Sequence, residues 1–248
     1  MVYPVRMGFD VTFHPVSVAD LQHFVFDLAG DGGLAGPRSK ELTSAPAKQR
    51  EVAVGVLARL PDFVEEVKAD GDFAMSISFA AAAVAGYRHP YWYARGSALS
   101  FMAAEHPPLA RLFSSLPTLA RGPVAALEDD SFALLTENYS ASGVVVPGKV
   151  AALEKLLAGL AKAGKGQKQG PLFEVFDAEG YDSLKHAIAY ALQHGLGLME
   201  ATELVVPMAN EGFTDLDNLR AHFLKNVDFA QAGPPPKAKK QAKKAPVK

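Results

Sequence analysis

The chain opens on strict alternation. Phe9, Val11 and Phe13 interleave with Asp10, Thr12 and His14, the period of two that marks a half-buried strand, and His14-Pro15 is expected to break it. The period then lengthens. In SVADLQHFVFDLAGDGG, Val18, Leu21, Phe24, Val25 and Leu28 fall on one face of a helix. Ser17, with Asp20 three residues later, resembles a capping box, and Gly30 closes the helix. Residues 29–46 are rich in Gly, Pro and Ser and predict a loop. Helical patterns follow at 47–59, 62–70 and 72–86, the first two divided by Pro61.

From 87 to 130 the chain is punctuated by His-Pro, Pro-Pro and Gly-Pro, so its helices must be short. NYSASGVVVPG predicts a strand ending at Pro147. GKVAALEKLLAGLAKAG predicts a helix, with Val150, Leu153, Leu156, Leu157 and Leu160 on one face. Residues 163–171, AGKGQKQGP, read as a flexible polar linker. Beyond it, LFEVF reads as a strand and YDSLKHAIAYALQHG as a helix stopped by Gly195. The buried stripe of that helix is Leu184, Ile188, Ala191 and Leu192, with His186 on the opposite side. TELVVPM reads as another strand, and Thr214 with Asp217 starts a last helix. Two strand–loop–helix segments share a Phe-acid-Val start and a Leu-x-His within the helix, a weak sign of duplication.

Strands and helices alternate too irregularly for a doubly wound sheet, which points to an α+β fold. The expected organisation is one helix-dominated globular domain over 7–230 with a few short strands. Its one candidate internal boundary lies at 163–171, and a disordered Lys/Pro-rich tail covers 233–248.

Composition removes several chemistries. The chain has no cysteine, which excludes disulfides, thiolate zinc sites, iron–sulfur ligation and cysteine nucleophiles. The N-terminus lacks a basic region followed by an apolar run, so no signal peptide is expected. The longest weakly polar run, 73–86, is shorter than the roughly 20 residues a membrane-spanning helix needs. A soluble, cytoplasmic protein is the expectation. Charge is informative once divided. Of 25 Lys and Arg, six lysines lie in the last 12 residues, leaving 19 against 27 Asp and Glu. The body is therefore near −8. Such a body is a poor nucleic-acid reader, although the tail can make weak, salt-sensitive contact with anions. A basic protein partner suits it better.

The short motifs do not fit their chemistry. GDGGLA (30–35) follows a helix instead of a strand, so its glycines are wrongly placed for a dinucleotide. GKGQKQG (164–170) lacks the Lys-Ser/Thr ending of a phosphate loop. Asp20, His23 and Asp27 share one side of their helix opposite the apolar stripe, which reads as a solvated face. The clusters Asp62/Glu65/Glu66 and Glu128/Asp129/Asp130 read as helix-end charges. No H-E-x-x-H and no G-x-S-x-G is present. No catalytic residue, metal ligand or cofactor is assigned.

One stretch stands apart: YRHPYWYARGSALS, residues 87–100, holds three tyrosines, the one tryptophan, two arginines and a histidine. Wound as a helix from Pro90, it sets Arg95 among Trp92, Ala98, Leu99 and Met102. Extended, it lines Tyr91, Tyr93 and Arg95 on one face and Trp92 on the other. Either way Arg95 lies beside a large aromatic. It must then be paired, for instance to Glu105 or Glu137, or line a cavity, because a buried unpaired charge is costly. The candidate ligand or partner contacts are Arg95, Trp92, Tyr91, Tyr93, His89 and Glu105.

Two functions follow as expectations. The first is a non-enzymatic protein-binding protein with an acidic body, of the kind bacteria use as immunity or antitoxin-type inhibitors of a basic partner. The second is an enzyme or small-molecule sensor with a pocket at the aromatic/Arg95 segment, using His89 or Glu105 for proton transfer.

Overall fold

The computed structural model describes residues 10–42, 57–70, 77–95, 98–127, 141–163 and 178–202. Their centre is a five-stranded antiparallel sheet: β1 (Asp10–Val16), β2 (Trp92–Arg95), β3 (Phe113–Ser114), β4 (Ala141–Val145) and β5 (Gly197–Thr202), in the order β2-β1-β5-β4-β3. Helices cover both faces, so the fold is mixed α+β, as the irregular alternation of patterns implies. The middle strand, β5, comes from beyond residues 164–170, which lie outside the described residues.

β1 does not break at Pro15. It pairs with β5 from Val11 to Val16, but with β2 only from Asp10 to Phe13. Past Phe13 its β2 side carries no ladder, so the missing Pro15 N–H forfeits no bond there. Alternation then sorts the sheet into two cores. Val11, Phe13, Trp92, Ala94, Val145 and Leu198 share one core with α5 (Leu99–Glu105), α6 (Pro107–Ala110), α8 (Pro147–Ala163) and α9 (Ala178–His194). Val16, Val144, Met199 and Ala201 face the other core. It is built from α1 (Val18–Leu21, continued by a wider turn over Gln22–Phe26), α3 (Leu60–Asp70), α4 (Ile77–Arg88) and α7 (Leu116–Leu119).

Local chemistry sets the helix ends. Ser17 Oγ accepts from the Asp20 N–H at 3.2 Å, the expected cap of α1. Pro61 falls in the first turn of α3, where its missing N–H needs no partner. The loop expected over 29–46 is interrupted by α2 (Ala35–Leu42), which tolerates Pro37 in its first turn for the same reason. Gly195 closes α9 at φ +65°, a left-handed conformation that favours glycine. Leu184, Ile188 and Ala191 are buried as expected, whereas Leu192 is 37% exposed on the rim of the stripe.

The last described strand is one the sequence patterns did not mark. β5 occupies GLMEAT, and TELVVPM beyond Thr202 lies outside the described residues. A central strand is buried on both faces and loses its polar alternation, so GLMEAT carries little period-two signal. Gly197 is required there, because a Cβ would come 2.8 Å from the Val145 carbonyl oxygen. The LFEVF segment, the final helix and the 233–248 tail also lie outside the described residues. Among the described residues no helix is long and apolar enough to cross a membrane.

Candidate functional site

The aromatic stretch resolves into two elements. Trp92–Arg95 is strand β2 and Leu99–Glu105 is helix α5, so each of the two windings describes part of it. Strand alternation then divides the aromatics. Tyr91 is fully buried in the α4-side core and stacks on His14, with ring centroids 5.1 Å apart. Trp92 is buried in the α9-side core, and Tyr93 is half-buried. In the β1–β2 register, Arg95 lies opposite Asp10. The side chains of Arg95 and Glu105, and the whole of Glu137, lie outside the described part. Tyr91 and Trp92 therefore fasten the edge strand to both helical layers.

His89 belongs to a different grouping. Its N–H continues α4 by bonding to the Ala85 carbonyl, which places the imidazole just past the helix end. There it meets α1 and the last turn of α9. Arg88 Nε donates to Asp20 Oδ2 at 3.0 Å, and His89 Nε2 lies 4.0 Å from the same oxygen. Tyr190, half-buried on α9, packs on Trp92 (5.6 Å between centroids), His89 (6.1 Å) and His194 (4.1 Å). Tyr190 and His194 are i, i+4 neighbours, which brings their rings together on one helix face. The result is a surface patch of two imidazoles and a phenol on a tryptophan, flanked by an ion pair.

Burial holds the His89 pKa below its ordinary value. The Asp20 carboxylate raises it in part, while Arg88 and His194 lower it further. His89 is thus held toward its neutral form, and its Nε2 is shielded without a hydrogen-bond partner among the described residues. Burial also raises the Tyr190 hydroxyl.

The Asp20–His23–Asp27 face is not simply solvated. Each member is drawn to a separate partner: Asp20 to Arg88, His23 to Glu41 at 3.0 Å, and Asp27 to Arg38 at 3.2 Å and Gln22 at 2.6 Å. Arg38 also donates to the His23 carbonyl. Among the described residues no group of three or more His, Asp or Glu is arranged to hold a metal ion. Asp62 and Glu65 sit exposed on α3, Glu65 within 2.7 Å of Lys68, while Glu128–Asp130 lie outside the described residues.

Two further ionisable groups lie inside the sheet, and neither belongs to the aromatic stretch. His14 is 0% exposed on the α4-side face, its Nε2 2.8 Å from Thr12 Oγ1, and burial pushes its pKa down to about 3. Glu200, on β5, is 2% exposed on the α9-side face, opposite Phe13 in the register. Its Oε2 accepts from the Leu99 N–H at 2.7 Å and its Oε1 from the Ser100 N–H at 2.6 Å. Burial pushes its carboxyl up to about 7, against hydrogen bonds from Ser100 and Leu99 that pull it down.

Sequence reasoning missed Tyr190, His194, Arg88 and Glu200. The i, i+4 spacing of Tyr190 and His194 at a helix end, and one acid within the apolar run LGLMEA, are the signals that mark them. No family model, curated protein or solved structure matches the chain.

Proposed function

We propose that the protein is a non-enzymatic binding protein that engages a basic protein partner through the patch of His89, Trp92, Tyr190 and His194. One observation carries the reading. The Tyr190 ring is braced by Trp92 and by two imidazoles, yet stays partly exposed. A braced aromatic is already ordered before a partner arrives, so it loses little conformational entropy on binding. Tyr, Trp and Arg are the side chains that most often dominate interface energetics. The body charge near −8 supplies the sign of the partner.

The test is co-purification at low ionic strength with wild type and with Tyr190→Ala/His194→Ala. Wild type is expected to retain a basic protein that the double variant loses by about tenfold or more. Raising salt to about 0.5 M, where the Debye length falls to roughly 4 Å, should weaken retention. Retention unchanged in the variant, or indifferent to salt, overturns the reading. Recovery of no partner also overturns it and favours the second reading. That reading is a small-molecule site at the same patch, where His89 Nε2 has no hydrogen-bond partner among the described residues.

A further inference from the structure

We propose that Glu200 is a proton-operated latch on the start of α5: its ionised carboxylate holds the first two N–H groups of the helix, and taking up one proton loosens one of them. The inference concerns the interior and stands apart from the surface reading above.

The geometry begins with a missing cap. The N-cap position of α5 is Ala98, which has no side-chain acceptor for the first N–H groups of the helix. Glu200 supplies both acceptors from the central strand, about a hundred residues away in sequence, one oxygen to each N–H. This match belongs to the carboxylate alone. An ionised carboxylate offers each N–H a charged oxygen, whereas protonation turns one of the two into a hydroxyl oxygen, a much poorer acceptor. Taking up a proton therefore removes the charge-assisted bond from one of the pair and loosens it. The two bonds are short and charge-assisted, which favours the ion, while the dry surroundings favour the neutral acid. These opposing demands make the group responsive near neutrality.

The surroundings add no competing charge from the described side chains. Phe13 faces Glu200 from β1, and Trp92, Leu198 and Ile188 belong to the same core. The acidic and basic residues described on α9 (Asp182, Lys185, His186, His194) and on α8 (Glu154, Lys155, Lys162) are exposed, and Lys149 turns to the Arg111 carbonyl. Arg95, Glu105, Asp10 and Glu179 are the ionisable residues on the packed elements whose side chains fall outside the described part. His14 lies on the opposite face of the sheet and is held neutral. Ala98, Leu99 and Met102 belong to the α9-side core, so release loosens the seating of α5 on that core.

The experiment is an NMR pH titration of the full-length wild-type chain between pH 5 and 8.5. It follows the Glu200 side-chain carboxyl carbon and the Leu99 and Ser100 amides. All three should titrate with one midpoint, near 7. On the acid side, Leu99 and Ser100 exchange, corrected for the intrinsic rate, should accelerate by about tenfold or more relative to Met102 and Ala103. A second variant, Ala98→Ser, gives α5 its own cap. It should shrink that acceleration at Ser100, the second N–H of the helix, while Glu200 still titrates. The proposal is overturned if the carboxyl titrates in the ordinary carboxylate range with the two amides unmoved. It is also overturned if Ala98→Ser leaves the acceleration at Ser100 unchanged.

Discussion

The two faces of the sheet each bury one ionisable side chain, and they do so by opposite means. On the α4 side, His14 gives up its charge: it is held neutral, bonded to Thr12 and stacked on Tyr91. On the α9 side, Glu200 is held between charge states, because the N–H groups it caps reward the ion that burial penalises. The difference teaches which of the two groups the fold uses. His14 makes one side-chain hydrogen bond, and its Nδ1 makes none among the described residues. Glu200 ties the central strand to a helix that has no cap of its own.

Removing each group breaks the comparison most sharply. Glu200→Leu strands two buried N–H groups and should lower stability by about 2–4 kcal/mol. His14→Leu, close in volume, should cost less than about 1.5 kcal/mol, because Thr12 keeps the Ala201 carbonyl as its acceptor at 3.4 Å. Urea unfolding of both variants at pH 7 measures the pair, and equal losses would erase the distinction.

Proton linkage sharpens it further. The Glu200 pKa is raised in the folded state, from 4.5 to about 7. The stability it contributes is present below 4.5 and lost as pH rises through 7. The His14 pKa is depressed, from 6.5 to about 3, so its contribution is present above 6.5 and lost as pH falls toward 3. Between 4.5 and 6.5 the two oppose each other, each with a slope on the order of 1 kcal/mol per pH unit. The smallest effect lies at the sheet edge. Arg95 opposes Asp10 in the register, and a double-mutant cycle with Asp10→Ala and Arg95→Ala should return a coupling of about 0.2–1 kcal/mol. A coupling of zero would mean that register alone does not pair them.

The legible parts of the fold were those with a clean period. β1, the α1 cap, α8 and α9 follow directly from alternation, Ser17 and the leucine stripes. β5 over GLMEAT was not anticipated, because burial on both faces erases the pattern that marks a strand. Within the 87–100 stretch, Tyr91 and Trp92 are buried in opposite cores, and His89 and Trp92 meet Tyr190 in the surface patch. The partners that complete the patch, Asp20, Tyr190 and His194, lie about 70 residues before and 100 after, where no local pattern connects them. Glu200 was hidden for a physical reason as well. Its importance depends on a capless helix that only tertiary structure brings to it.

The most direct test of the two-faced sheet is the unfolding free energy of wild type, Glu200→Gln and His14→Leu at pH 4.5, 5.5 and 6.5. Relative to wild type, Glu200→Gln should gain stability as pH rises across this window, and His14→Leu should lose it. Differences of the same sign, or none that vary with pH, would contradict the account.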